Sequence, residues 1–227
     1  LASLATVPSI GPSAPWPRSH PVSLFQQLFA AVYDPVMGAL ERGRLGAKRR
    51  ELLAGLTGDV VEIGAGTGAN LRHLPDEVRH VTAVEPDHAM AERLRARAAT
   101  LDRDVEVVEA PAETLPFPDH SVDVIVTTLV LCTVRDPDRV VGELRRVLRH
   151  DGQLIVLEHV VDPVAARARL QRRLTPAWRV VARGCHLDRD TRATLARGGF
   201  DVSEVTPWQL SERGPTVAAV TGIARPC

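Results

Sequence analysis

Cysteine is scarce in this sequence: three in 227 residues, at Cys132, Cys185 and Cys227. So few, so widely spaced, make neither a disulfide framework nor a zinc-ligand pattern. A reducing, cytoplasmic setting and no bound metal are the expectations. Surplus charge is missing too, because Lys+Arg and Asp+Glu both number 28. A general nucleic-acid binder would carry a basic excess or stripe, so no nucleic-acid partner is expected. No apolar run reaches the roughly 18–20 residues of a membrane span, and no stable membrane anchor is expected. A charged n-region is absent from the start. Residues 1–22 hold five prolines and read as a flexible leader, not a signal peptide. There is no internal repeat.

What is present is a helical pattern followed by regular alternation. From Ser23 to Leu56, Leu24, Leu28, Val32 and Val36 recur at helical spacing, as do Phe25, Phe29 and Tyr33. Pro35 ends or kinks the first helix, and a second, rich in Arg and Leu, stops near 55–58. Strands are then expected at 59–63, 80–85, 105–110, 122–128, 153–160, 200–205 and 216–224. Helices are expected at 68–74, 88–101, 136–149, 163–183 and 188–198. Short apolar strands alternating with helices make a doubly wound, mostly parallel sheet covered on both faces. The last two strands have no helix between them, so they pair antiparallel. The chain thus divides into a leader at 1–22, lid helices at 23–56 and one α/β domain at 57–227 with a helical insert near 163–183.

In such a sheet, ligands bind beyond the carboxyl ends of the strands. The first strand runs into VVEIGAGTGAN (60–70), where Gly64, Gly66 and Gly68 allow a sharp turn and a close ligand approach. A plain tight turn would use the same glycines. Gly64, Gly66 and Ala69 also meet the dinucleotide fingerprint formally, which keeps an NAD-dependent oxidoreductase open. Glu62 discriminates. A carboxylate two residues before the first glycine repels a pyrophosphate and suits a cationic ligand. S-adenosylmethionine (SAM) carries an ammonium and a sulfonium and no phosphate. Glu85, about 20 residues past the glycines, is placed to accept two ribose hydroxyls, which serves either cofactor.

VVEIGAGTGAN, VTAVEPD, LPFPDHSVDVIV and the helix before DGQLIVLEHV resemble, in order and spacing, the motifs of class I SAM-dependent methyltransferases over roughly residues 58–227. TLVLCTVRDP, LEHV and TPAWRVVARGCHLDRDT are similar to the methyltransferase-like thiol S-methyltransferases of animals and their bacterial relatives. The UbiE-like quinone and the phospholipid methyltransferases stand further off. The resemblance implies a seven-stranded Rossmann-like sheet with an N-terminal helical lid. It implies that Glu62 and the backbone of Gly64, Ala65, Gly66 and Gly68, with Asn70, hold the methionine moiety, and that Glu85 takes the ribose. Pro86, Met90, Ala112 and Glu113 would border the adenine, and Thr128 and Leu129 would lie beside the transferable methyl. Relatives often carry an acid where this chain has Pro111, so an adenine contact is lost or passes to Glu113. The animal relatives' hydrophobic anchor does not carry over.

Methyl transfer from a sulfonium needs positioning, desolvation and a home for the acceptor's proton. His159, at the end of the fifth strand, and His186, after the Arg-rich helix, are the candidate bases, although either could merely pin a loop or cap a turn. Glu158 could orient His159 or face away from it. Cys132 reads as a small buried hydrophobe. Cys185 adjoins His186, but the chemistry requires no covalent step. Arg172, Arg173 and Trp178 lie on a charge run that reads as a solvated face or an attractor of anions. The expected activity is methyl transfer to a small molecule, with a thiol as the best acceptor. O-, N- or C-methylation is the alternative, and a non-catalytic SAM-binding protein a further one.

Overall fold

The computed structural model describes residues 38, 41–182, 184–210 and 217–227. The leader and the first expected lid helix lie outside them. The described elements run α1 (Arg44–Leu53), β1 (Gly58–Ile63), a 3-10 turn (Leu71–His73), β2 (Val78–Val84), α2 (His88–Ala98), β3 (Asp104–Val108) and β4 (Val122–Thr128). They continue with α3 (Pro137–Val147), β5 (Leu148–His159), α4 (Ala165–Val181), α5 (Thr191–Arg197), β6 (Phe200–Asp201), β7 (Val205–Gln209) and β8 (Ala218–Pro226).

The strands form one sheet in the order β3-β2-β1-β4-β5-β8-β6, with β7 also paired to β8. Strands β1 to β5 pair in parallel and β8 runs antiparallel to β5, β6 and β7. Alternation of side chains sends Val61, Ile63, Ile125, Leu154 and Val156 into one core, against Val140, Leu144 and Val147 of α3 and Leu195 of α5. Val60, Val124, Val126 and Ile155 go into the other, against Leu53 of α1 and Leu94 of α2. The order in which strands are added reverses between β1 and β4, which run parallel, and this places the carboxyl ends of both beside the switch point.

Local chemistry sets the helix starts. Asp87, Asp136 and Asp190 each accept a hydrogen bond from the backbone N–H three residues on, at 3.1, 3.0 and 2.9 Å. Each satisfies one orphan donor and is worth about 1 kcal/mol. Two expected elements differ. The helix over 68–74 is only the 3-10 turn, because Gly68 has φ +80° and the left-handed residue delays helix entry until Pro75 stops it. The strand over 200–205 is broken into β6 and β7, giving eight strands where seven were expected. Asp201 accepts from Ser203 N at 2.8 Å, a side-chain turn that competes with the ladder.

Helix α4 lies against the body by one face, where Gln171 bonds Asp162 N and Val160 O. Ala168 and Thr175 are buried along it, while Leu170, Leu174, Trp178 and Val180 are exposed. Arg172 and Arg173 are exposed as well.

Candidate functional site

Register and alternation decide which side chains meet. Glu62 pairs with Val126, and Thr128, two residues on, pairs with Leu157. Glu62, Thr128 and His159 therefore share the sheet face that α1 covers. There Arg49 reaches down from α1, only 4 % exposed. Its guanidinium donates to Glu41 Oε1 at 3.0 Å, Asn70 Oδ1 at 2.8 Å and Thr128 Oγ1 at 2.7 Å. The Asn70 amide donates to Glu62 Oε1 at 2.8 Å and Thr128 Oγ1 at 3.0 Å. Five buried polar side chains thus form one chain of contacts at the tips of β1 and β4.

Glu62 is 3 % exposed, and its Oε2 is buried without a hydrogen-bond partner. Burial pushes its carboxyl up to about 7, against the lowering effects of Arg49's charge and Asn70's hydrogen bond, with Glu85 adding to the rise. An orphaned carboxylate oxygen in a dry site is the acceptor a ligand ammonium requires. Beside it, Gly64, Gly66 and Gly68 adopt φ of +66°, +58° and +80°. Val130 crowds Gly64, and Leu94 and Leu71 crowd Gly68, whereas nothing lies within 4 Å of the place a Cβ would take on Gly66. The loop is packed at its ends and open at its middle. Its Ala65 N–H donates to Val84 O at 3.0 Å, and Gly66 N–H to Glu85 Oε2 at 2.8 Å. Glu85 Oε1 accepts from Asp87 N at 2.9 Å. Each carboxylate oxygen can accept twice, so this arrangement suits two ribose hydroxyls as well. The residues present fit SAM.

Around the expected adenine border the picture is mixed. Pro86 is exposed, and Met90 and Ala112 are buried. Glu113 Oε1 accepts from Arg135 N at 3.2 Å, so its carboxylate ties the 111–117 loop to the start of α3.

At the end of β4 the backbone turns through Leu129 at φ +61°, a costly conformation for a branched side chain. The turn aims three consecutive N–H groups at Glu158, whose Oε1 accepts from Val130 at 2.9 Å and Leu131 at 3.1 Å and whose Oε2 accepts from Cys132 at 3.3 Å. Glu158 therefore pins the loop that carries Leu129 and, one residue off His159 on a strand, faces the opposite side of the sheet. Burial raises it to about 7 despite those three hydrogen bonds.

His159 is 6 % exposed, with Nδ1 4.0 Å from Cys185 Sγ. His186 donates its backbone N–H to Cys132 O at 2.7 Å, and its Nδ1 is buried without a partner. The two candidate histidines therefore flank Cys185 on one rim of the site. Arg189 fastens that rim, donating to Leu131 O at 2.6 Å and Val134 O at 2.7 Å.

Sequence reasoning missed Glu41, Arg49 and Arg189. Arg49 had a signal: Leu45, Arg49 and Leu53 recur at i, i+4 on one stripe, and an arginine in an apolar stripe needs a buried partner. Arg189 had none, because its acceptors are carbonyls from a distant loop. Among the described residues, no group of His, Cys, Asp and Glu could hold a metal ion, and no helix is long and apolar enough to cross a membrane.

A family described as methyltransferase domain matches residues 61–156. The chain is 34% identical over 179 residues to rat thiol S-methyltransferase TMT1B, covering 73% of this chain and 72% of the rat protein. Against human TMT1B the identity is 36% over 170 residues, 69% of each. Phosphatidylethanolamine N-methyltransferase of Cereibacter sphaeroides is 28% identical over 182 residues, 78% of this chain and 86% of that one. Among solved structures, a Thermotoga maritima SAM-dependent methyltransferase aligns with a TM-score of 0.65 at 23% identity, covering 88% of this chain and 98% of that one. The cyclase SpnF aligns with a TM-score of 0.63 at 19% identity, covering 88% and 94%. That second neighbour carries a different activity by name, so this fold alone does not fix the reaction.

Proposed function

This chain belongs to the SAM-dependent methyltransferases, and on that footing we propose that it transfers the cofactor's methyl group to the sulfur of a small-molecule thiol. The observation that carries the thiol reading is the identity of 34% and 36% to thiol S-methyltransferases of rat and man over more than two thirds of each chain. Relatives named as N- and C-methyltransferases stand lower, at 28% identity or over less than half of this chain.

When bound, SAM supplies a methyl on a sulfonium, open to in-line displacement without further activation. The chain's own residues do the rest. Glu62 Oε2 holds the ammonium of the methionine tail, Asn70 fixes the carboxylate's other oxygen, and Arg49 keeps Asn70 and Thr128 in place. Gly64, Ala65, Gly66 and Gly68 bring the backbone close to the ligand, and Glu85 takes the ribose. Pro86, Met90, Ala112 and Glu113 line the adenine side as a border rather than as donors. Thr128, held by Arg49 and Asn70, and Leu129, at the head of the loop that Glu158 pins, set the wall beside the reacting atoms.

A dry site opposes ionisation of an acceptor thiol, so a neighbouring group must take its proton. His159 is placed for that on the face shared with Glu62 and Thr128. Cys185 stands at Nδ1, which leaves Nε2 as the nitrogen for the acceptor. His186 positions the 184–189 segment through Cys132 O.

The test is a panel of thiols, alcohols and amines with SAM, with methylated products read by mass. Thioethers should form from thiols alone. Methyl groups found only on amines or alcohols would remove the thiol proposal while leaving the methyltransferase standing. His159→Ala should lower kcat at least tenfold and leave SAM affinity within about twofold. Unchanged turnover would move the base elsewhere.

A further inference from the structure

We propose that Cys185 and Cys132 form a thiol–disulfide exchange site that takes low-molecular-weight disulfides, with Cys185 as the attacking sulfur and Cys132 as the resolving one. The pair adjoins the proposed methyl-transfer base, with Cys185 Sγ 4.0 Å from His159 Nδ1, but the exchange does not depend on which acceptor methyl transfer uses.

The two cysteines lie 53 residues apart in sequence (185 − 132) and are brought together by backbone contacts. His186 N–H donates to Cys132 O at 2.7 Å, so the residue after one cysteine is bonded to the other. Gly184, at φ +97°, lies so close to the loop that a Cβ there would sit 3.0 Å from Thr133 O. Arg189 then clamps Leu131 and Val134. The two segments cannot drift apart without breaking all of these contacts.

The surroundings of the sulfurs assign the roles. Cys185 Sγ is half-buried and lies 4.0 Å from His159 Nδ1, whereas Cys132 is buried. The hydrogen bond from Cys132, then the His159 ring and Trp178, outweigh burial and hold the Cys185 thiol below its ordinary range. Cys132, which gives that hydrogen bond and is 1 % exposed, is pushed up. The charged groups facing the pair are the Arg189 guanidinium and the Glu158 carboxylate, with His159 at 4.0 Å. Cys185 is only half-buried, so a small disulfide reaches the sulfur that is the thiolate.

The exchange balances without another reactant. The Cys185 thiolate attacks one sulfur of RSSR, forming a Cys185–SR bond and releasing RS⁻. Cys132 then loses its proton and attacks Cys185 Sγ, forming the Cys132–Cys185 bond and releasing the second RS⁻. One released thiolate takes up the Cys132 proton and the other is protonated by solvent, which had received the Cys185 proton. The external disulfide is reduced to two thiols and the two cysteines are oxidised. The product bridge fastens the loop after β4 to the 184–189 segment.

Oxidised glutathione is the probe, on the full chain and on Cys227→Ser, which removes the exposed third thiol. Peptide mapping without reductant should recover a Cys132–Cys185 linked peptide from both. Adding Cys132→Ser should halt the reaction with glutathione on Cys185, and adding Cys185→Ser should leave Cys132 unmodified. Alkylation of Cys185 by iodoacetamide should change less than threefold between pH 6 and pH 8, where an ordinary thiol rises about tenfold per unit. Recovery of both cysteines as free thiols from the unsubstituted chain, or of a stable glutathione adduct on Cys185 with Cys132 still free, overturns the proposal. Neither reading depends on how a variant folds.

Discussion

At Glu62 a carboxylate stands in a dry place with one oxygen bonded to Asn70 and the other without a partner. Its folded pKa, about 7 against 4.5, means that ionisation opposes folding of the ligand-free chain. The stabilising contribution of the neutral acid is whole below pH 4.5 and is lost as pH rises through about 7; Glu158 acts in the same direction. Binding an ammonium reverses the preference at Glu62. SAM affinity should therefore rise between pH 5.5 and 7, by at most about tenfold per unit, with a proton released on binding. Calorimetry in two buffers of unequal ionisation enthalpy reads that proton. Glu62→Gln should abolish the release and weaken binding by roughly 1.5–3 kcal/mol. Release persisting in the variant would assign the proton to another group. Arg49→Ala leaves buried Glu41 with the Arg72 guanidinium, 3.6 Å away, as its remaining ion-pair partner among the described residues, and should cost about 3 kcal/mol in chemical denaturation, with part of the loss restored by adding Glu41→Gln. No restoration would mean that Arg49 acts through Asn70 and Thr128 alone. Glu62 was legible in the sequence because an acid before a glycine turn repels one cofactor and suits another. The Arg49 network was not, because its partners come from three separated segments, at Glu41, in the 60–70 loop and at Thr128.

The glycine loop behaves as an element in which each position has its own constraint. Gly66→Ala meets no atom, so its stability loss should be limited to the about 1–2 kcal/mol of a left-handed alanine, while SAM binding falls by tenfold or more. Gly64→Ala meets Val130 as well and should lose stability and binding together. Thermal melts and titration of the two variants separate the cases, and equal binding losses at equal stability would remove the open-cradle reading of Gly66. The helix starts expected at 88 and 136 lie within a residue of those observed, each behind an aspartate cap that acts on its own neighbours, whereas the one expected at 188 begins at Thr191, behind Asp190. The helix expected at 68–74 was misread for the opposite reason: its apolar spacing is genuine, but a positive φ at Gly68 overrides it. The rim of His159, Cys185 and His186 was half legible. Each histidine was found at its element's end, whereas their meeting around Cys185 depends on Arg189 clamping a loop that spacing does not announce.

On the scale of the molecule, the alternation of strands and helices was enough for the parallel core and its antiparallel closure, because each β-α-β crossover has one allowed hand. The rim made by the 129–134 loop and the 184–189 segment was not legible, since the positions of both follow from tertiary contacts. Cofactor binding couples α1, the glycine loop and the tips of β1 and β4, so a ligand there stabilises the domain as a whole. S-adenosylhomocysteine at a hundred times its dissociation constant should add about 2.7 kcal/mol and raise Tm by roughly 5–10 °C. No shift at saturation would show that the coupling is local. Strand β8 joins this scale to time. It lies between β5 and the β6–β7 edge, and it is the last described element to leave the ribosome. Until it emerges, β5 offers an unpaired apolar margin to whatever is near. The rim at His159, which pairs with Ala219 of β8, can therefore mature only after translation has passed β8.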